Sequence, residues 1–155
     1  MMQRFTGQSV PRVEDPRLLT GGGRYVDDEP RSGDLHAAFV RSPFPHARIT
    51  GVDVAEATRL PGVHAVLLAG DLDGIAHPMQ LPAVPEGFGA PAFTCLATDK
   101  VRLVGDPVAL VLATSRAVAE DAAEMVVVDY EDLDGVGTID QALDPSSTPL
   151  WDDLG

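Results

Sequence analysis

The sequence predicts an α+β fold in which two short helices pack on a small mixed sheet, preceded by an extended N-terminal arm. Three observations lead to this prediction. The 155 residues suit a single domain. Short apolar runs separated by turn residues give the order β-β-α-β-loop-β-β-α-β, in which each helix is followed by a strand. Residues 107–113 are apolar throughout, as expected for a strand that is covered on both faces.

The N-terminal arm is predicted over residues 1–33. Pro11, Pro16 and Pro30 exclude a long helix there. The glycines at 21–23 form a turn before a short extended piece at 24–27. The main domain is then expected at 34–145, followed by a tail at 146–155.

Apolar periodicity places the remaining elements. The first helix is predicted at 54–60, with Asp53 as its N-cap and Glu56 at capping-box spacing. In the second helix, at 116–125, Val118, Ala122 and Met125 share an apolar face. The predicted strands are residues 35–41, 47–53, 63–69, 101–104, 107–113 and 126–131, and one helical turn is expected at 138–143.

Residues 70–94 are the least regular part of the chain, since they include four prolines. A loop of this length inside a domain is usually functional or disordered. We therefore expect it to face a partner.

Charge and cysteine content exclude some classes of function. The net charge of −13 argues against binding to nucleic acid or anionic membranes. Residues 1–50 hold seven arginines against six acids, whereas residues 51–155 hold four basic residues against 18 acids. An arginine-rich arm of this kind suits docking on an acidic surface, and a solvated acidic body is the simpler reading. One cysteine and no long apolar run fit a cytoplasmic protein without a membrane span.

Four features of the sequence are candidate sites. The stretch TGGGR at residues 20–24 is followed by no helical pattern, so a turn is favoured over a phosphate-binding loop.

The histidines are spaced 10, 18 and 13 residues apart, which matches no local metal motif. His36 and His64 lie in apolar strands, where a histidine is usually packed in the core or placed at a sheet edge. The four histidines are His36, His46, His64 and His77.

The lone thiol of Cys95 is predicted to be buried and inert rather than nucleophilic, because no activating residue is adjacent.

Adjacent acids point in different directions on a strand or helix, so they are expected to be solvated charges rather than an acid/base pair. These pairs are Glu14-Asp15, Asp27-Asp28, Glu120-Asp121 and Asp152-Asp153. Glu14 and Asp15 alternate with Arg12 and Arg17 and are expected to form ion pairs with them.

Five segments, in order, resemble the xanthine dehydrogenase/aldehyde oxidase family. Residues 18–28 (LLTGGGRYVDD), preceded by Gly7, Arg12 and Glu14-Asp15, are similar to the opening of large chains of the carbon monoxide dehydrogenase type. Residues 39–49 (FVRSPFPHARI) resemble the first hairpin of the family's α/β hammerhead domain. Residues 55–72, with LPGV at 60–63, and residues 96–133 resemble its later parts. One departure is LDGV at 133–136, where the family tends to have proline after the leucine.

The resemblance implies a structural N-terminal module of a molybdenum hydroxylase large subunit. It also implies molybdopterin cytosine dinucleotide, iron-sulfur clusters and FAD for the full enzyme, and as partners the remainder of the large subunit with FAD and iron-sulfur subunits. None of the family's metal-site motifs falls within residues 1–155, so no catalytic, cofactor-binding or metal residue is assigned, and the isolated chain is expected to be inactive.

Two other functions stay open from the residues alone. One is a stand-alone small-molecule-binding or regulatory domain that reuses the fold, and the other is a small enzyme. The substrate of the full enzyme, the oligomeric state and the distinction between a truncated chain and a split subunit are open as well.

Overall fold

A computed structural model of the chain describes residues 6–79, 83–84, 86 and 89–152. The chain divides into two compact units, Met1–Asp34 and Leu35–Gly155. No helix in the described ranges is long and apolar enough to cross a membrane.

The first unit holds two short helical segments. Helix α1 spans Asp15–Leu19, with Pro16 in its first turn, where the missing N–H of proline costs no helical hydrogen bond. A 3-10 helix spans Val26–Asp28. The prediction of an extended arm was therefore wrong at both places, because prolines that prevent a long helix still permit a single turn. None of the described residues 6–34 is buried.

In the described residues, the second unit contains six strands, three α-helices and a 3-10 helix at Ala69–Leu72. The strands are β1 (His36–Arg41), β2 (Ala47–Asp53), β3 (Val63–Leu67), β4 (Lys100–Val101), β5 (Pro107–Ala113) and β6 (Val127–Asp132). The helices are α2 (Ala55–Arg59), α3 (Arg116–Glu124) and α4 (Ile139–Leu143).

The strands form two three-stranded sheets. One has the order β1-β5-β3 and the other the order β4-β2-β6. Every described ladder is antiparallel. The α+β class is confirmed, but the strands form two antiparallel sheets and not the single mixed sheet that we expected. Consecutive strands such as β1 and β2 lie in different sheets, and this partition depends on long-range pairing that periodicity does not reveal.

Helix ends follow local chemistry. The hydroxyl of Ser115 accepts a hydrogen bond from the Val118 N–H at 3.3 Å and caps α3. At α2 the predicted capping box does not form: the N-cap is Val54, and Asp53 Oδ1 instead accepts from the Ala55 N–H at 2.9 Å. A capping box forms at α4 between Thr138 and Gln141.

Two apolar clusters hold the second unit together. The first joins Val111 of β5 to Ala57 of α2, Ala122 of α3 and Val126. In α3 the buried residues are Ala119 and Ala122, whereas Met125, expected on the apolar face, is 38% exposed. The second cluster joins Ala47, Val101 and Val108. Fully burying one side chain of the valine or leucine size contributes about 1.5–3 kcal/mol before entropy is subtracted.

Candidate functional site

The most elaborate polar site is a clasp in which Lys100 and Arg102 hold residues 150–152. The Arg102 Nε donates to the Leu150 carbonyl at 2.8 Å, and its Nη1 donates to the Lys100 carbonyl at 3.2 Å. The backbone N–H of Arg102 donates to Asp106 Oδ2 at 2.9 Å. These bonds turn the chain out of β4 after Val101, which is why the strand predicted at 101–104 is only two residues long.

Lys100 supplies the second half of the clasp. It is buried, with only 6% of the residue exposed, and its Nζ donates to the Asp152 carboxylate. That hydrogen bond, together with the charge of Lys100, lowers the pKa of Asp152 below its ordinary value. A buried ammonium needs such a partner, because an unpaired charge is costly to remove from water. Asp152 is exposed, as expected for a solvated charge, but it also pairs with Lys100, which was not expected.

Aromatic contacts connect the clasp to the long loop. The guanidinium carbon of Arg102 lies 5.6 Å from the centroid of the Trp151 ring. The Phe93 ring meets Trp151 edge-on, with 6.0 Å between ring centroids. Phe93 in turn forms an isolated antiparallel bridge with Met79, through a hydrogen bond from the Met79 N–H to the Phe93 carbonyl at 2.8 Å. Residues 79, 93 and 151 therefore lie close together.

A second polar site surrounds His46, which is fully buried. Its Nδ1 lies 2.8 Å from the Asp134 carbonyl oxygen, so Nδ1 is the protonated nitrogen. Its Nε2 is buried and has no hydrogen-bond partner among the described residues. The His46 carbonyl accepts from the Leu133 N–H at 3.0 Å. The residue therefore fixes the path of the chain after β6.

The corner before His46 is closed by Ser42. Its N–H donates to the Asp106 carbonyl at 2.9 Å, and its own carbonyl accepts from the Gly105 N–H at 2.8 Å. Burial raises the pKa of the nearby Tyr130 phenol above its ordinary value; a hydrogen bond with Ser42 lowers it, and the Asp106 carboxylate raises it further. The Tyr130 ring packs on Phe44 with 5.0 Å between centroids. This corner is structural.

The other candidate residues do not assemble into a reactive group. His36 and His64 lie exposed on β1 and β3, the two edge strands of their sheet, as the edge interpretation predicted. His77 is exposed in the loop. Cys95 is exposed, so the expected burial of its thiol was wrong. It lines a cleft of about 100 Å³ together with Leu72, His77 and Thr94.

The glycine-rich stretch and the acid pairs resolve as structural features. The Gly21 N–H donates to the Leu18 carbonyl at 3.2 Å, and the Gly22 N–H donates to the Arg17 carbonyl at 2.8 Å, which confirms a turn. Arg12 lies 3.7 Å from a Glu14 oxygen and 3.9 Å from an Asp15 oxygen, as expected. In the described residues Arg17 forms no such pair. The pair at 120–121 is exposed, and Asp153 lies outside the described residues.

Within the described ranges, no three His, Cys, Asp or Glu side chains come together as a group that could hold a metal ion. No catalytic step through a molybdenum cofactor is therefore assigned to these residues.

A family profile described as aldehyde oxidase and xanthine dehydrogenase, a/b hammerhead domain, matches residues 20–134. The chain belongs to this family. Its fold agrees with solved relatives: quinoline 2-oxidoreductase from Pseudomonas putida 86 superposes with a TM-score of 0.83 at 47% identity, over 91% of this chain and 18% of that one.

Curated relatives give the same result. The chain is 48% identical over 130 residues to the nicotine 6-hydroxylase large subunit of Paenarthrobacter nicotinovorans, covering 84% of this chain and 16% of that protein. It is 43% identical over 143 residues to the carbon monoxide dehydrogenase large chain of Afipia carboxidovorans, covering 92% of this chain and 17% of that protein. The chain thus spans about a sixth of the length of these relatives.

The expected family is thereby confirmed, and the chain is a hammerhead module of molybdenum hydroxylases. Molybdenum is present in the names of several relatives, among them a Cu,Mo-CO dehydrogenase and the xanthine dehydrogenase molybdenum-binding subunit of Escherichia coli O157:H7. Sequence reasoning missed the clasp and the burial of His46, since both depend on partners 48 to 88 residues away.

Proposed function

We propose that this chain is a non-catalytic structural module of a molybdenum hydroxylase large subunit and that it packs against the cofactor-binding part of that subunit. The observation that carries the proposal is the size of the match: the chain aligns over most of its length to only 16–17% of the relatives' large subunits.

The first unit supports a docking role. Several of its apolar side chains are exposed, including Val13 at 96%, Leu19 at 86% and Val26 at 92%. Isolated helices shorter than about 12 residues are marginal in water, and α1 has only five residues. A segment with this composition is stabilised by covering its apolar side chains, so the unit fits a role as a strap on a larger surface.

The residues 70–94 form the second proposed docking element. Met79 is 61% exposed and Phe93 is 38% exposed, yet the bridge between them and the contact of Phe93 with Trp151 hold them in place. Ordered, exposed apolar side chains of this kind are typical of protein interfaces.

The finer assignments follow from family membership and are part of the proposal. For the full enzyme they are molybdopterin cytosine dinucleotide, iron-sulfur clusters and FAD, with FAD and iron-sulfur subunits as partners. The cytoplasmic location, the lack of nucleic-acid binding and the division into residues 1–33, 34–145 and 146–155 stay predictions.

Co-purification tests the proposal. The tagged chain is co-expressed with the part of the Paenarthrobacter nicotinovorans large subunit that follows its matched segment, and the tag is pulled down. We expect a stoichiometric complex. A chain that is folded by circular dichroism but recovers none of that fragment would contradict the proposal. Deletion of residues 6–34 is expected to lower the amount of large-subunit fragment that is recovered. The size of the decrease distinguishes binding by the strap from binding by the main body.

A further inference from the structure

The β1-β5-β3 sheet has one face with apolar side chains in two cross-strand rows. Phe39, Leu110 and Leu67 are paired in register across the sheet, and Ala37, Leu112 and Ala65 form the next row. Side chains alternate between the faces of a sheet, and Val40, Val111 and Val66, the neighbours of the first row, pack in the first apolar cluster. We call the six side chains of these two rows the outer face.

The outer face lies opposite the helices of the second unit, and the Arg41 guanidinium lies over one of its side chains, Phe39. Helices α2 and α3 pack on this sheet, and their buried residues belong to the cluster that contains Val111. None of the six side chains belongs to either apolar cluster. Phe39 is 45% exposed, and Leu67, Leu110 and Leu112 are only half-buried.

The composition of the outer face differs from that of a solvated sheet. An antiparallel sheet with one wet face normally alternates apolar and polar residues, yet β5 is apolar throughout. The six positions carry no charge in a chain with 24 acids. Arg41, at the end of β1, is already engaged: its Nη1 donates to the Gly105 carbonyl at 2.9 Å, and its guanidinium lies 5.2 Å from the Phe39 ring centroid.

We propose that the outer face is covered by the polypeptide that the relatives have beyond the matched segment. This proposal rests on the proposed function and assigns it a third contact surface, apart from the strap and the long loop. It accounts for the apolar side chains of Leu110 and Leu112 on β5, whereas Val108 of the same strand is already buried in the second apolar cluster.

Charge argues against a second copy as the cover. Residues 35–155 hold six basic residues against 18 acids, so two copies repel one another as the faces approach. A polypeptide segment of the same large subunit is tethered, and its high effective concentration favours contact without strong intrinsic affinity.

Thiol labelling in a chimera tests the proposal. This chain replaces the matched segment of the Paenarthrobacter nicotinovorans large subunit, to which it is 48% identical, and the chimera is co-expressed with the other subunits of that enzyme. Cys95→Ser removes the native thiol, and Phe39→Cys places one on the outer face. Labelling by a maleimide at position 39 is measured by peptide mass spectrometry in the isolated chain and in the purified assembly.

We expect labelling at position 39 to slow by about tenfold or more in the assembly, because a buried thiol reacts only when the site opens. Val127→Cys is the matched control, since Val127 is 58% exposed on β6 of the other sheet. Its labelling is expected to stay fast in both states. Leu112→Cys repeats the test if Phe39→Cys folds poorly.

The outcomes separate the two proposals. A chimera that fails to assemble contradicts the proposed function. A chimera that assembles but labels at position 39 as fast as the isolated chain overturns the covered outer face while leaving the proposed function intact. Protection of position 39 in a dimer of the isolated chain would identify a second copy as the cover and would likewise overturn the inference.

Discussion

The guanidinium carbon of Arg102 lies 5.6 Å from the centroid of the Trp151 ring, while its Nε donates to the Leu150 carbonyl at 2.8 Å. One side chain therefore holds both the backbone and the ring of the segment at 150–152. Trp151 is the only tryptophan of the chain, so its fluorescence reports directly on the clasp.

Arg102→Ala is expected to release Trp151. A hydrogen bond from a charged donor and a cation–π contact together contribute about 2 kcal/mol, so the open population should rise by about tenfold or more. The measurement is acrylamide quenching of tryptophan emission, which should increase as the emission shifts to longer wavelength. Arg59→Ala, at an exposed position of α2, should leave both unchanged. Equal quenching in the Arg102 variant and the parent would contradict the clasp.

The ion pair of Lys100 with Asp152 predicts a pH dependence. The pKa of Asp152 is lowered in the folded chain by the hydrogen bond and charge of Lys100. Its stabilising effect is therefore fully present above the ordinary carboxyl pKa of about 3.9 and is lost as the pH falls through the lowered value. Asp152→Asn should differ from the parent in tryptophan quenching near neutral pH, and the difference should vanish in acid.

A difference that persists unchanged at a pH well below the ordinary carboxyl range would contradict this assignment. Asp121→Asn, at an exposed position of α3, serves as the control and is expected to match the parent throughout.

His46 is predicted to be important for stability despite its polar ring. His46→Ala removes a fully buried side chain and its hydrogen bond to the Asp134 carbonyl. The free energy of unfolding should fall by about 3 kcal/mol, since cavity formation adds to the lost contacts. Urea denaturation measures the change. His64→Ala, an exposed position of β3, should alter it by less than about 0.5 kcal/mol, and equal effects at the two sites would contradict the burial of His46.

Val111 is predicted to be the most sensitive position of the first apolar cluster. It is fully buried at the centre of β5, between β1 and β3. Val111→Ala should lower the free energy of unfolding by about 2 kcal/mol, because two methyl groups leave a closely packed site. Val127→Ala, at a position that is 58% exposed, should cost less than about 0.5 kcal/mol. A cost at Val111 no larger than at Val127 would refute this packing.

Local pattern was sufficient for some elements and not for others. β5 occupies residues 107–113 as predicted, because a continuous apolar run bounded by turn residues needs no tertiary information. β4 is shorter than predicted because the Arg102 N–H bonds to Asp106 and its side chain bonds to Leu150. The pattern of residues 101–104 contains no trace of the second contact, which joins residues 48 positions apart.

The candidate sites also divide into features set by neighbouring residues and features set by long-range contacts. The glycine turn at 21–23 and the pairing of Arg12 with its acidic neighbours are local and were predicted. Lys100 is paired with Asp152 across 52 residues, and His46 is hydrogen-bonded to the Asp134 carbonyl across 88 residues. Hydrophobic periodicity does not reveal partners at those separations. The family resemblance, by contrast, predicted the fold from the order of several short segments.

Nicotine 6-hydroxylation by the chimera is the most direct test of a scaffold without catalytic residues. With the matched segment of the Paenarthrobacter nicotinovorans large subunit replaced by this chain, the turnover rate should stay within about tenfold of the parent enzyme, since loss of a general acid or base costs about 10²–10⁴-fold. A chimera that assembles with its full molybdenum content but has lost about a thousandfold or more in rate would contradict the account.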